Sequence, residues 1–253
     1  MNPAWPFAFL LVAASNYQQP MSEKPEDTEV WSPEPPVLTP GPYVAAGAPS
    51  DAIILFDGKD LREWVSAKDG SPPQWVVGDG IVTVKAGAGS IETRRRFTDY
   101  QLHLEWRAPA KVTGSGQGRG NSGLFLASTG KGDEGYELQI LDSYNNKTYV
   151  NGQAGSIYKQ FPPKVNAMRP PGEWQTYDVI WTAPRFNADG TLATPASATV
   201  LHNGVLIQNH AQLSGETRYI GKPAYRAHGP SPIKLQDHGD PVSFRNIWVR
   251  ELR

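Results

Sequence analysis

The chain has 253 residues, of which 39% are apolar and only 19% charged, with a formal net charge of −1. That balance lacks the basic surplus that nucleic acid or an anionic membrane would attract, and the absence of cysteine excludes disulfides, thiolate metal sites and cysteine nucleophiles. Gly (25) and Pro (23) are abundant beside 8 Trp, 10 Tyr and 8 Phe, a mixture that suits many short strands and turns better than long helices.

Residues 7–14 (FAFLLVAA) form a short apolar run ending in small residues. It is too short to span a bilayer and has the character of a signal-peptide core, with cleavage expected near Ala14 or Ser15. No Lys or Arg precedes it, and Pro3 and Pro6 interrupt it. The expectation is a periplasmic or secreted protein with residues 1–15 as signal. From 16 to 51 the chain is polar and proline-rich, with Pro20, Pro25, Pro33, Pro35, Pro36, Pro40, Pro42 and Pro49. Proline fixes φ and removes a backbone donor, so this segment is expected as a linker or surface strap and not as a central strand.

From residue 52 to 253 short apolar runs alternate with Gly, Pro and Asn. Strands are expected at 53–56, at 75–77 and 81–84 around the Gly78-Asp79-Gly80 turn, and at 102–106, where Leu102, Leu104 and Trp106 alternate with His103 and Glu105. Further strands are expected at 123–127, 136–141, 177–182, 198–202, 205–208, 233–238 and 242–252. Asn203-Gly204 suits a type I′ hairpin turn, because both residues tolerate positive φ. No internal repeat and no sustained helical periodicity appear. Ten or so strands in about 200 residues imply an all-β fold of two packed antiparallel sheets, with an extended ligand held on a concave face.

Seven blocks in order carry a resemblance: LFDGKDL at 55–61 with Trp64, GNSGLF at 120–125, YELQILD at 136–142, GSIY at 155–158, PPGEWQTY at 170–177, LQDHG at 235–239 and FRNIW at 244–248. Together they resemble the 3-keto-disaccharide hydrolase family over about residues 52–253. The resemblance implies an exported jelly-roll sandwich of the concanavalin A-like lectin/glucanase type. It also implies cleavage of 3-keto-glycosides by C2 deprotonation, elimination and hydration.

On a strand through 136–142, Glu137 and Gln139 share one face while Tyr136, Leu138 and Ile140 share the other, core-like one. Glu137 and Gln139 should therefore face the cleft, whereas Asp142 has the wrong parity unless a bulge intervenes. The spacing E-x-Q-x-x-D echoes the E-x-D-x-x-E strand of β-glucanases, but the central acid is Gln139. That departure argues against double displacement, which wants two carboxylates roughly 5 Å apart. A surface carboxylate is the plain alternative for Glu137.

By the same parity, Lys234, Gln236 and His238 oppose Ile233 and Leu235. His238 is the histidine best suited to acid–base work, or else a structural residue beside Gly239. His103, His202, His210 and His228 have weaker cases. Asn121 follows a glycine-rich loop and either binds a hydroxyl or caps a turn. Lys159 and Arg245 either bind substrate or make structural ion pairs.

Under the implied mechanism Glu137 or His238 is the base and Asp142 an acid or orienting group. Gln236, Lys159, Arg245 or a metal would stabilise the enolate, with Asn121 and Gln139 as further substrate ligands. No cofactor is certain; a lone histidine with carboxylates could hold a divalent metal across the sheet. Carbohydrate is the expected partner, with neither nucleic acid nor a membrane span, and the sequence gives no oligomeric state. The rival readings are a non-catalytic lectin-like module, a conventional endoglucanase, and an interaction domain assembled through the strap.

Overall fold

The structure, a computed structural model, describes residues 24–44 and 47–252, so the apolar run at 7–14 lies outside the described residues. Fifteen strands, numbered in chain order, account for nearly all its regular structure among these residues; helix is limited to short 3-10 turns at Pro25–Thr28, Gly116–Gly118 and Val150–Gly152. No helix among the described residues is long and apolar enough to cross a membrane.

One sheet has eight strands. Its order is β13 (Val205–Gln212), β12 (Ser197–His202), β9 (Gln175–Thr182), β6 (Tyr100–Arg107), β15 (Ser243–Glu251), β4 (Ile81–Thr83) and β3 (Val76–Gly78), with β1 (Ile53–Phe56) also pairing to β15. The second has five, in the order β2 (Trp64–Ser66), β5 (Ile91–Thr93), β14 (Lys234–Leu235), β7 (Ser122–Ser128) and β8 (Gly135–Ile140). A small ribbon of β10 (Arg185–Phe186) and β11 (Leu192–Thr194) lies apart. Pairing within both large sheets is antiparallel. This is the expected two-sheet jelly-roll sandwich. The two predicted hairpin turns form as expected, with positive φ at Asp79 and Gly80 and at Asn203 and Gly204.

Period-two alternation decides which residues fill the sandwich. Leu102, Leu104 and Trp106 of β6 and Tyr177, Val179 and Trp181 of β9 meet Leu124 and Leu126 of β7 and Tyr136, Leu138 and Ile140 of β8 in one apolar cluster. Buried phenols need a partner for their hydroxyls. Tyr100 donates to the Leu126 carbonyl at 2.6 Å and Tyr177 to the Gln139 carbonyl at 2.8 Å, so both bonds stitch one sheet to the other. The exposed edge of β8 is covered by residues 155–158, whose backbone bonds to Gln139 and Glu137. An unpaired edge there would invite pairing with another chain.

The face of the eight-stranded sheet that points away from the core carries its own polar cluster. Arg245 lies beside Glu105, and the bulge that follows it in β15, with Asn246 at φ 45°, offsets the register so that Trp248 stacks on His103. Arg245 donates to Glu105 at 2.6 Å and its guanidinium lies 4.0 Å from the Trp174 ring. His103 Nδ1 is 2.7 Å from Asp178, while its Nε2 faces Glu105 at 3.6 Å, an ion-pair contact and not a hydrogen bond. Burial opposes charge on His103, but bonding to Asp178 and the nearness of Glu105 outweigh it and lift the imidazole to about 9.

The proline-rich segment crosses this molecule without joining either sheet. Val37 makes an isolated bridge to Asn166, Arg169 donates to the Gly41 carbonyl at 2.8 Å, and Tyr43 donates to Glu105 at 2.8 Å. Its earlier part lies against residues 150–159.

Candidate active site

A cleft of about 450 Å³ opens on the face of the five-stranded sheet that points away from the core, within the range usual for small-molecule sites. Its floor is set by register. Phe125 pairs with Glu137 and with Lys234, so the three share the outward face in one row; Gly123 pairs with Gln139 and accepts from the Gln236 backbone, giving a second row. Glu137, Gln139 and Gln236 line the cleft together with Asn121 and His238.

Gly123 makes this convergence sterically feasible. A Cβ at that position would lie 2.6 Å from a Glu137 carboxylate oxygen and 3.2 Å from Gln236 Oε1, so the two side chains meet in the space a larger residue would fill. Glu137 is only 6% exposed, and its carboxylate makes no hydrogen bond among the described residues. Burial is the main cause that lifts its carboxyl to about 8, helped by the charge of Asp133 and opposed by that of Lys234. Gln236 is equally buried and its Oε1 has no partner. Buried polar groups are ordinarily satisfied, and such exceptions concentrate where a ligand or chemistry is served.

Around this pair the amides are held in place. Gln139 donates to Asn121 Oδ1 at 2.9 Å, and Asn121 donates to the Gln117 carbonyl at 2.7 Å. On one wall Tyr149 and Tyr158 share a 2.6 Å hydroxyl–hydroxyl bond, and burial keeps both phenols protonated. One proton lies between the two oxygens, which leaves the other free to donate into the cleft. Gln117, Asp133, Thr217, Tyr219 and Glu29 complete the lining.

The structure therefore brings together Glu137, Gln139, Gln236, His238 and Asn121. It places the other three candidates elsewhere. Asp142 lies two residues beyond the end of β8 and is fully buried, where it accepts from Arg119 at 2.7 Å and from the Tyr144 backbone at 3.1 Å. It staples the turn after β8 and does not line the cleft. Arg245 belongs to the outer face of the eight-stranded sheet, because regular pairing through Ser243 and Phe244 sets it opposite Glu105. Lys159 adjoins the cleft, but its ammonium is spent on the Pro25 carbonyl at 2.6 Å and the Tyr219 carbonyl at 2.9 Å. It ties the strap and the 217–219 loop to the body of the domain.

Sequence reasoning passed over Lys234, although its parity with Gln236 and His238 was legible. Wholly buried, it donates to the Gly132 carbonyl at 2.5 Å and lies 4.2 Å from the Phe125 ring, so it supports the 130–134 loop from beneath. Tyr149, Asp133, Thr217 and Glu29 come from irregular segments and carried no periodic signal. Among the described residues no group of three His, Asp or Glu side chains is arranged to hold a metal ion.

The model of a 3-keto-alpha-glucoside-1,2-lyase-like domain matches residues 51–250. A 3-keto-disaccharide hydrolase from Bacteroides thetaiotaomicron is 27% identical over 239 residues, covering 79% of this chain and 78% of its own. A solved structure of a candidate glycosyl hydrolase from Parabacteroides distasonis is 51% identical, with a TM-score of 0.77 over 90% of this chain and 96% of its own. A second one from that organism, at 23% identity and a TM-score of 0.59, shares the fold over 80% of this chain and 94% of its own.

Proposed function

Because the chain belongs to the 3-keto-alpha-glucoside-1,2-lyase-like family, we propose that it cleaves 3-keto-glycosides in the cleft over Gly123, with Glu137 as the base. The observation that carries the reading is the Glu137 carboxyl itself: buried, free of hydrogen bonds and lifted to about 8. A general base works best when its pKa lies near the working pH, and an ordinary solvated glutamate would be far too weak.

A ketone at C3 acidifies the proton on C2. Glu137 takes that proton, and the C2–H electrons pass into an enolate on the C3 oxygen. The enolate collapses back to the ketone, forms a C1–C2 double bond and expels the C1 oxygen substituent, which takes up a proton. Water then adds its hydroxyl to C1, and C2 is reprotonated. The sum is hydrolysis without an oxocarbenium ion.

An enolate needs preorganised donors. With Lys159 and Arg245 occupied elsewhere, the Gln236 amide and the Tyr149–Tyr158 pair are the donors in reach. His238, exposed at the rim, is suited to protonating the leaving group. Gln139, where the E-x-D-x-x-E pattern has a second floor carboxylate, disfavours double displacement. The lectin-like reading has no use for a base of raised pKa without a partner. Export, suggested by the apolar run at residues 7–14, is part of the same proposal.

The test is release of a chromogenic aglycone from a 3-keto-glucoside and from the matching unoxidised glucoside, each with and without EDTA. Release from the keto substrate alone supports elimination, and insensitivity to EDTA leaves the work to the side chains named here. Equal release from both substrates, or binding of both without release, overturns the reading.

A further inference from the structure

The family match begins at residue 51, yet the cleft is not closed by residues after 51 alone. Glu29, from the proline-rich strap, forms part of its lining. We propose that Glu29 and Trp31 are substrate-contacting residues, and that the strap supplies the binding wall for the sugar beyond the scissile bond. This rests on the reading of the cleft given above and extends it to a segment outside the matched domain.

The strap is held as if to display Glu29. Asn151, wholly buried in the body of the domain, accepts from the Val30 backbone at 2.9 Å and donates to the Thr28 carbonyl at 3.0 Å, gripping the chain on both sides of Glu29. The Val150 backbone adds a bond to the Val30 carbonyl at 2.6 Å, and Lys159 adds its bond to Pro25. A buried amide that spends both its groups on the backbone either side of one strap residue fixes where that residue's Cα sits.

What Glu29 presents is chemically apt. One carboxylate oxygen accepts from the Trp31 indole at 3.2 Å, and the other has no partner among the described residues. A carboxylate oxygen with open lone pairs is a strong acceptor for sugar hydroxyls. Trp31 is 52% exposed and makes a T-shaped contact at 6.1 Å with Tyr149, a lining residue, which sets the half-exposed indole next to the cleft wall. Its indole N–H is already satisfied, which leaves the apolar face for a sugar ring. Glu29, Glu137 and the Tyr149–Tyr158 pair line one and the same cleft. Substrate seated on the Glu137 floor would therefore share its cleft with the Glu29 carboxylate. The solved relative at 51% identity aligns over 90% of the chain, a span that must take in part of the strap.

The experiment uses the full chain with Glu29→Gln, Trp31→Ala and, as a control on the same strap, Glu34→Gln. KM is measured for a 3-keto glucose disaccharide and a 3-keto aryl glucoside, with thermal melts for each variant. Loss of a hydrogen bond to a charged group should raise the disaccharide KM about tenfold or more for Glu29→Gln. The rise for the aryl glucoside should be smaller, the melting temperature unchanged and Glu34→Gln silent. Equal KM changes on both substrates, or none, overturn the proposal, as does a loss that tracks a fall in melting temperature. If the wild type turns over no keto substrate, the reading of the reaction fails. Quenching of Trp31 fluorescence by oxidised and unoxidised disaccharide then decides the strap by itself, judged against Trp31→Phe. Quenching weakened about tenfold by Glu29→Gln supports the proposal; quenching that is unchanged or absent overturns it.

Discussion

Replacing Glu137 with Gln should make the protein more stable and, at the same time, inactive. A glutamate that titrates at 4.5 when solvated and at about 8 when folded binds its proton more tightly in the native state. Folding therefore carries no penalty from this group below about pH 4.5. The penalty grows between 4.5 and 8 and is complete above that. At about 1.4 kcal/mol per pH unit it reaches roughly 3–5 kcal/mol at pH 9. Gln mimics the protonated acid in shape and carries no charge, so Glu137→Gln removes the penalty. For a domain of about 200 residues this is a gain in melting temperature of roughly 10 °C at pH 9, shrinking to about 2 °C at pH 5. His103 acts oppositely in origin: lifted to about 9, its stabilisation is present below about 6.5 and lost as the pH rises through 9. Both proteins share it, so the difference between their melting curves isolates Glu137. Melts of both proteins from pH 5 to 9, repeated as urea midpoints, provide the assay. Parallel curves would mean that the carboxylate is solvated in the folded state, and the argument for a buried base would fall with it.

The kcat/KM of the wild type for a 3-keto-glucoside should climb with pH and level off above about 8, because the base works only when deprotonated; a profile flat from pH 6 to 9 would exclude Glu137 from that role. Gly123→Ala should fold with little loss of stability, since the new methyl meets the movable ends of Glu137 and Gln236 and no backbone, yet kcat/KM should drop by about 100-fold; retained activity would show that the two side chains need not converge there. Asp142→Ala should cost about 3–5 kcal/mol in urea unfolding, because it strands Arg119 beside an emptied buried site, while kcat at 25 °C changes less than about threefold. A large kcat loss in the still-folded variant would return Asp142 to the chemistry.

The strands and the floor of the cleft were legible because alternation has a period of two and register follows from it. Glu137, Gln139, Gln236 and His238 could be assigned to one face from parity alone. Asp142 misses the cleft because β8 ends at Ile140 and the turn that follows holds its carboxylate on Arg119. Lys159 and Arg245 could not be resolved in this way. Lys159 sits at φ 57° on an irregular segment, and alternation turns Arg245 away from the core without saying which sheet its strand joins. Glu29, Tyr149 and Thr217 reach the cleft by tertiary packing between segments far apart in the chain, which leaves no periodic trace. The strap was recognised by its prolines, but proline content reports only what a segment cannot do. Its grip by Asn151 and its contribution to the cleft required coordinates.

The most direct test of the central claim is the fate of the C2 proton. A 3-keto-glycoside is cleaved in D2O by a short pulse of enzyme, with an enzyme-free control for spontaneous exchange, and the product is read by NMR. The account predicts that each product sugar formed by the wild type carries deuterium at C2, and that Glu137→Gln forms product at least about 100-fold more slowly. Cleavage that leaves the original proton on C2 and is not slowed when C2 of the substrate carries deuterium would contradict it.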